Sequence, residues 1–307
     1  MKTIFFYLSV ILLFPLLSLF SQTKDCTITI DGLERTYLLH LPEKTASFYN
    51  LPLVFVFHGG GGTGKLIMNE TGFNKLSDRD RFIAVYPDGL YRAWNDGREK
   101  KEKGEMKDDV KFISRLIDTI YKQYNIDTSR IFATGISNGG FFSFYLAYKL
   151  SNKFLAIAPV CANIPKNLKD FYKPENPVSL MLINGTEDPL VKYEGGKVGF
   201  RFGKSRGKSL STDESISIFK KLDKCSDKAK TEDIPDVISD DECYATKYTY
   251  SGGINNTDVI LIKITNGGHT WSGGTQYLPK KLVGNLCKDF KAEDVIWGFF
   301  KSRNIKQ

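Results

Sequence analysis

The sequence predicts an α/β fold in which helices cover both faces of a mostly parallel central sheet. Continuous apolar runs, of which LPLVFVF (51–57) is typical, have the composition of strands buried on both faces. Between such runs, apolar residues recur at helical spacing, as at Val110, Ile113 and Ile117. Alternation of these strands and helices along the chain is typical of parallel sheets.

The individual elements follow from local patterns. TITI and RTYLLHL flank the turn signal Asp31-Gly32 and predict an antiparallel N-terminal hairpin. Helices are predicted over 110–124, over about 139–150 and in AEDVIWGFFKS. The segment from about 192 to 244 is rich in Gly, Lys and Asp around one short predicted helix, and it predicts an excursion between core strands. The remaining strands are predicted in FIAVYPD, RIFAT, FLAIAPV, VSLMLIN, TKYTY and DVILIKI.

The N-terminus has the pattern of an export signal. One Lys precedes an apolar run from Ile4 to Phe20, which predicts a signal peptide over residues 1–21. A retained membrane anchor is the alternative, but the run is short for one and Pro15 interrupts it. The rest of the chain, 22–307, contains no Pro- or Ser-rich linker and predicts a single domain. We therefore expect a product that is extracellular or periplasmic and free of the membrane after cleavage.

The cysteines and the charge distribution indicate which disulfides, metals, cofactors and nucleic-acid partners are expected. Export permits disulfides, and Cys225 and Cys243 are expected to pair because they bracket one polar loop. The chain has no Cys-x-x-Cys pair and no Cys/His cluster, so neither a metal nor a cofactor is expected. The formal charge of +8 is spread among interleaved acids, as in REKKEKGEMKDD. Nucleic acid is accordingly not an expected partner.

The run VFHGGGGTGKL (56–66) has two interpretations. It nearly matches a nucleotide-binding P-loop, since Gly59 to Lys65 have the required spacing. Leu66, however, stands where a P-loop has the Ser or Thr hydroxyl that holds magnesium. A strand followed by His and glycines is also how many ester hydrolases hold an oxyanion. We favour the second interpretation.

Two serines have the Gly-x-Ser-x-Gly spacing of a nucleophile elbow. A nucleophile elbow requires a strand before the serine and a helix after it, so that a tight turn presents the hydroxyl. Ser137 in GISNG follows the strand RIFAT and precedes an apolar helical pattern. Ser205 in GKSRG lies in a polar, basic stretch without a preceding buried strand. Ser137 is therefore the candidate nucleophile.

A serine nucleophile needs a base, and the chain contains three histidines. His40 lies in the N-terminal hairpin, and His58 ends a core strand before the glycines. Only His269 follows Ser137 in the chain, as the order Ser, acid, His of an α/β-hydrolase requires. His269 is flanked by glycines in a loop after DVILIKI, and it is the candidate base.

The acid should lie between these two residues, just past the end of a strand. VSLMLINGTEDPLV supplies Asp188, which precedes Pro189 in a turn after the strand. Glu187 is the alternative acid. An acid at this place would orient the imidazole and stabilise its cationic form.

A tetrahedral intermediate also needs two backbone N–H donors for its oxyanion. One donor is the amide of Asn138, the residue after the nucleophile. The other should come from the loop Gly59–Gly62, where glycines permit the positive φ that turns an amide inward. His58 is then expected to support this loop structurally.

Together the motifs resemble a known group of enzymes. The chain resembles the secreted polyhydroxybutyrate depolymerase-like and feruloyl esterase family of α/β-hydrolases, which includes acetyl xylan esterases. The resemblance covers about residues 27–302, and the glycine-only loop is more similar to the feruloyl esterases. The motifs that carry it are HGGGG, AWNDGR (93–98), DDVKFI (108–113), GISNGG, NGTEDPLV and GGHTWSGG.

The resemblance implies Ser137, Asp188 and His269 as a catalytic triad, with the amides of Gly60 and Asn138 as oxyanion donors. It implies a serine esterase that acts on feruloyl or acetyl esters of plant-cell-wall polysaccharide such as xylan. A polyhydroxybutyrate or short-chain polyester depolymerase is the main alternative. A peptidase on the same fold, or a carbohydrate-binding protein whose site has decayed, are others.

Three further features have open roles. Asp108 and Asp109 begin the long helix, where acids complement the helix N-terminus, so a structural role is expected. Trp271, two residues from His269, and Trp94 are candidates for stacking on an aromatic acyl group or a sugar. Packing in the core is the alternative for both tryptophans.

Overall fold

The part of the chain that the structure describes is built on a twisted sheet of ten strands. The computed structural model describes residues 21–42, 50–99, 108–124, 126–200 and 202–303. The strands are β1 (Gln22–Ile30), β2 (Leu33–Leu41), β3 (Leu53–Phe57), β4 (Ile83–Pro87), β5 (Ile131–Ile136), β6 (Ala156–Val160), β7 (Ser179–Gly185), β8 (Gly196–Lys197), β9 (Lys208–Ser209), β10 (Lys230–Asp233), β11 (Tyr244–Tyr250) and β12 (Val259–Thr265).

The strand order of the main sheet is β1-β2-β4-β3-β5-β6-β7-β12-β11-β10, and β8 and β9 form a separate small hairpin. The six strands from β4 to β12 in this order are mutually parallel. Antiparallel strands flank them, with β1 and β2 at one edge and β11 and β10 at the other. The predicted fold class and N-terminal hairpin are confirmed.

Helices cover both faces of this sheet. Side chains alternate along each strand, so in β3 the residues Leu53, Phe55 and Phe57 face one core and Val54 and Val56 the other. Helices α3, α4 and α5 contribute to the first core, and α1, α2 and α7 contribute to the second. The helices are α1 (Gly64–Glu70), α2 (Phe73–Asp80), α3 (Asp109–Tyr124), α4 (Asn138–Lys149), α5 (Thr212–Asp223), α6 (Lys280–Val283) and α7 (Ala292–Lys301).

The predicted long elements occur within a few residues of their expected bounds, but several short ones were missed. Helices α1 and α2 lie in 64–80, where glycines and polar residues obscure the helical period. The excursion 192–244 contains one helix, as predicted, and this helix, α5, packs on the first core. Its strand β10, which extends the main sheet, was not predicted. The strand β10 consists of four polar residues and has no alternation of apolar and polar residues from which a strand could be predicted.

The predicted disulfide between Cys225 and Cys243 is wrong. Both residues are free and buried, and they pack in different cores: Cys225 in the first and Cys243 in the second. The sheet separates them, and a disulfide needs Cα atoms within about 7 Å of each other. Proximity in the sequence was misleading because the intervening chain crosses the edge of the sheet.

The acids at the start of α3 have the structural role that was expected. The Asp108 carboxylate accepts the N–H of Lys111 at 2.9 Å and so caps the first turn. Asp109 is buried and forms an ion pair with Arg35 at 2.8 Å. Its second oxygen accepts the N–H of Asn95 at 2.7 Å, which fixes the AWNDGR segment to α3.

Most of the predicted signal peptide, residues 1–20, lies outside the described residues. The first strand, β1, begins at Gln22, directly after the predicted cleavage site. In the described ranges, no helix combines the length and apolarity that crossing a bilayer requires.

Asp223 is a carboxyl group buried in the first core, and its burial disfavours the ionised form. Asp223, at the end of α5, is 3% exposed, and its Oδ2 has no hydrogen-bond partner among the described residues. Burial raises the pKa of this carboxyl to about 7. The carboxyl is thus protonated more readily in the folded chain than in the unfolded chain.

We expect Asp223→Asn to stabilise the protein in a pH-dependent way. Because the folded pKa is raised, the wild type loses stability as the pH rises from about 4 to about 7, and the loss is complete above that. The variant should therefore exceed the wild type in unfolding free energy by on the order of 3 kcal/mol at pH 8, and by little at pH 4.

Thermal and urea denaturation between pH 4 and pH 8 measure this difference. Asp236→Asn, which removes an exposed acid, is the matched control and should have little effect at any pH. An Asp223→Asn effect of equal size across the range would contradict the account.

Candidate active site

The turn between β5 and α4 has the geometry of a nucleophile elbow. Ser137 occupies it with φ 57° and ψ −118°, a strained conformation for a residue with a side chain. The neighbouring glycines are sterically required, since a Cβ on Gly139 would lie 2.3 Å from the Phe57 carbonyl oxygen. A Cβ on Gly135 would lie 2.6 Å from the same atom. The turn therefore crosses the end of β3 at backbone contact and presents Ser137 above the sheet.

The second Gly-x-Ser-x-Gly pattern does not form an elbow. Ser205 is exposed in the loop between β8 and β9, and its hydroxyl donates to the Gly207 carbonyl at 3.2 Å. No core strand leads into it. The strand–turn–helix context, and not the spacing, distinguishes the two serines.

Asp188 and His269 meet in the interior. The carboxylate Oδ2 of Asp188 lies 2.6 Å from Nδ1 of His269, and the two side chains are 1% and 3% exposed. The other oxygen, Oδ1, accepts the N–H groups of Leu190 and Val191, both at 2.8 Å. Two backbone donors thus fix the carboxylate through Oδ1, and Oδ2 holds the imidazole. Glu187, the alternative acid, is exposed.

Backbone contacts also hold the imidazole loop. The N–H of His269 donates to the Val283 carbonyl at 2.5 Å, and that of Gly268 donates to Asn285 at 2.8 Å. A Cβ on Gly268 would lie 2.2 Å from the Val283 carbonyl oxygen, so this position requires glycine. The loop after β12 is therefore fixed against the α6 segment.

Cys161 lies between the elbow and the imidazole loop, a role that was not predicted. Its Sγ lies 3.4 Å from the Thr270 carbonyl oxygen and 3.8 Å from that of Gly268, on either side of His269. The preceding residue, Val160, accepts the N–H of Ser137 at 2.9 Å. Burial raises the pKa of the Cys161 thiol well above its ordinary value, so it remains protonated. A lone cysteine at a strand end gives no sequence signal for such a contact.

The glycine loop lies beside Ser137, as predicted. A Cβ on Gly59 would lie 3.7 Å from Cβ of Ser137, and one on Gly60 would lie 3.8 Å from Cβ of Asn138. Among the described residues, no group accepts the backbone N–H of Gly60 or of Asn138. In this loop only Gly61 has a positive φ, 83°. The positive φ that was expected of the glycine loop therefore occurs one residue after Gly60.

Three other amides in and just after the loop donate to protein acceptors, which argues against phosphate binding. The N–H of Gly61 donates to Arg92 at 2.7 Å and that of Gly62 to Gly59 at 2.9 Å. The N–H of Gly64 donates to the carboxylate of Asp88 at 2.7 Å. A P-loop instead directs several such amides towards the phosphates.

His58 supports the loop through both ring nitrogens. Its Nε2 accepts the N–H of Gly89 at 2.9 Å, so the proton lies on Nδ1, which donates to the Gly59 carbonyl at 2.7 Å. Burial lowers the pKa of His58 below its ordinary value and keeps the ring neutral. The two bonds can form together only in this neutral form, because a cationic imidazole has no nitrogen that accepts a hydrogen bond.

The AWNDGR motif (93–98) contacts the side chain of Asn138 and holds it in place. The Asn138 amide group exchanges hydrogen bonds with the backbone of Trp94, at 2.7 and 3.1 Å. It also donates to Asp96, which is buried and forms an ion pair with Arg98. The Arg98 guanidinium lies 3.9 Å from the ring centroid of Phe141 in α4. The polar motif was visible in the sequence, but its contacts with Asn138 were not predicted.

Both tryptophans that were predicted to stack on substrate are buried in the core. Trp94 is 1% exposed, and its ring stacks on Phe142 at 4.9 Å. Trp271 is 0% exposed, packs on Phe73, and donates its indole N–H to Glu293 at 3.0 Å. These environments argue against the stacking role and favour the alternative of core packing.

Comparison with known proteins agrees with this fold. A family model named Esterase, described as "Putative esterase", matches residues 30–187. The chain is 25% identical over 286 residues to "Putative esterase NocK" of Nocardia uniformis subsp. tsuyamanensis, covering 91% of this chain and 83% of that protein. It is 29% identical over 185 residues to feruloyl esterase D of Neurospora crassa, covering 57% of this chain and 60% of that protein.

Among solved structures, the acetyl xylan esterase from Aspergillus awamori has the same fold, with a TM-score of 0.59 at 15% identity. The superposition covers 91% of this chain and 99% of that one. Fold and family together define the protein as a carboxylic ester hydrolase. The chain belongs to the esterase family.

Proposed function

We propose that the protein is an exported serine esterase that hydrolyses feruloyl or acetyl esters on plant-cell-wall polysaccharide such as xylan. The observation that carries the proposal is the buried contact of 2.6 Å between Asp188 and His269, on loops beside the Ser137 elbow. The similarity to a feruloyl esterase and to an acetyl xylan esterase supports the substrate class.

In this mechanism Ser137 attacks the ester carbonyl. His269 removes the hydroxyl proton through Nε2, because Nδ1 is committed to Asp188. The resulting imidazolium is stabilised by the carboxylate and then protonates the leaving alcohol. Water subsequently attacks the acyl-enzyme with His269 again as the base, which releases the acid and restores Ser137.

The oxyanion of each tetrahedral intermediate would accept from the backbone amides of Gly60 and Asn138. Both amides lack a protein acceptor among the described residues and adjoin Ser137. The bonds of His58 and of the Asn138 side chain hold the two donors in place before the substrate arrives. Such preorganised donors stabilise the transition state without reorganisation.

Two exposed aromatic rings on loops are candidates for the stacking role that the buried tryptophans do not fill. Tyr91 is 92% exposed next to Arg92, whose carbonyl accepts from Gly61 of the oxyanion loop. Phe202 is 93% exposed on the loop between β8 and β9. Aromatic faces of this kind suit a feruloyl ring or a sugar.

We expect Asp188→Asn to lower kcat strongly. Because Oδ1 accepts two N–H donors, the asparagine oxygen should keep that place and its NH2 group should face His269. The imidazole would then carry its proton on Nε2 and could not accept the one from Ser137. The expected loss is about 10³- to 10⁴-fold in the hydrolysis of p-nitrophenyl acetate.

Glu187→Gln is the matched control, since it makes the same chemical change at the adjacent, exposed acid. It should retain nearly the wild-type rate. Equal losses in the two variants, or a loss confined to Glu187→Gln, would refute the assignment of Asp188.

A substrate panel tests the substrate class. Initial rates on methyl ferulate, acetylated xylan and polyhydroxybutyrate are compared at matched ester concentration. The proposal predicts higher kcat/KM on one or both cell-wall esters than on the polyester. Equal, weak rates on all three would refute the cell-wall substrate, and a preference for polyhydroxybutyrate would favour the depolymerase alternative.

A further inference from the structure

A strongly basic hairpin lies beside the candidate oxyanion donors. We call residues 196–209, from the start of β8 to the end of β9, the cationic hairpin. No Asp or Glu occurs in this stretch of sequence. Its described cations are Lys197, Lys204, Arg206 and Lys208.

The cationic hairpin is anchored to the loop that carries the acid of the triad. The N–H of Gly199 donates to the Leu190 carbonyl at 2.8 Å, and that of Arg206 donates to Val198 at 3.0 Å. Leu190 itself donates its N–H to the carboxylate of Asp188. The backbone of Arg206 is therefore fixed relative to the site.

The guanidinium of Arg206 lies against the oxyanion loop. A Cβ on Gly60 would be 3.5 Å from Nη1 of Arg206 and 3.8 Å from Cβ of Asn138. One small group would thus touch both the guanidinium and the residue after the nucleophile. A substrate whose carbonyl oxygen reaches the two amides must pass close to this charge.

This positive charge has no carboxylate partner in the part of the chain that the structure describes. Arg206 is exposed, and within the described ranges no Asp or Glu lies at ion-pair distance from its guanidinium. By contrast, the two buried arginines near the site are neutralised, Arg35 by Asp109 and Arg98 by Asp96. Arg206 is therefore available to a negatively charged group of the substrate.

We propose that Arg206 selects esters that carry a carboxylate next to the reacting carbonyl, as an ester on a uronic-acid-containing polysaccharide does. The inference rests on the proposed function and names its substrate class more narrowly. A guanidinium matches a carboxylate with two parallel hydrogen bonds, which a lysine cannot reproduce. The other cations of the hairpin add a positive field that attracts a polyanionic chain.

The test compares two substrates that differ only in charge. Acetylated oligogalacturonides carry a carboxylate at C6, where acetylated oligogalactosides carry a hydroxymethyl group. The readout is the ratio of kcat/KM for acetate release from the anionic substrate to that from the neutral one. The variants are Arg206→Gln, Arg206→Lys, Ser137→Ala and, as a matched control, Arg115→Gln, which removes an exposed arginine on α3.

We expect the wild type to prefer the anionic substrate and Arg206→Gln to lower the ratio about tenfold, the size of a lost charge-assisted contact. Arg206→Lys should restore part of the ratio, and Arg115→Gln should leave it unchanged. The wild-type preference should also weaken at high salt, because the contact is exposed.

An unchanged ratio in Arg206→Gln, or equal losses on both substrates, would overturn the inference while Ser137→Ala still abolished hydrolysis. If Ser137→Ala hydrolysed both substrates at the wild-type rate, the proposed function would fail and this inference with it.

Discussion

The site depends on one close backbone contact, between the end of β3 and the turn that carries Ser137. Gly135 and Gly139 allow this turn to approach the Phe57 carbonyl more closely than any side chain would permit. The same approach sets the glycine loop, which continues from β3, beside Ser137 and Asn138. The candidate nucleophile and two amides that have no acceptor among the described residues thereby converge, because two parallel strands are neighbours in the sheet.

The opposite side of the site is built from the loops after β7 and β12, which are also neighbours. The loop after β7 has two tasks: it fixes Asp188 through backbone donors and anchors the cationic hairpin through Leu190. The acid of the proposed triad and the residue proposed to select charge are therefore both held by this one segment. Rigid support of this kind is what positions reacting groups for catalysis.

Sequence patterns predicted the parallel sheet from the alternation of strands and helices, and the glycine spacing and the chain order Ser, Asp, His indicated the candidate site residues. They failed where the outcome depends on packing between distant segments. Trp94 and Trp271 adjoin motif residues in the sequence, yet their rings turn into the core. Cys225 and Cys243 are near in the chain but lie on opposite faces of the sheet. The contact of Arg206 with the oxyanion loop likewise requires the folded hairpin.

The most direct test of the central claim compares the two serines that share the Gly-x-Ser-x-Gly spacing. The enzyme and its Ser137→Ala and Ser205→Ala variants are assayed with p-nitrophenyl acetate, and a fluorophosphonate adduct is located by mass spectrometry. The account predicts an adduct on Ser137 alone, a loss of at least about 10⁴-fold in Ser137→Ala, and near wild-type activity in Ser205→Ala. An adduct on Ser205, or unchanged hydrolysis by Ser137→Ala, would contradict it.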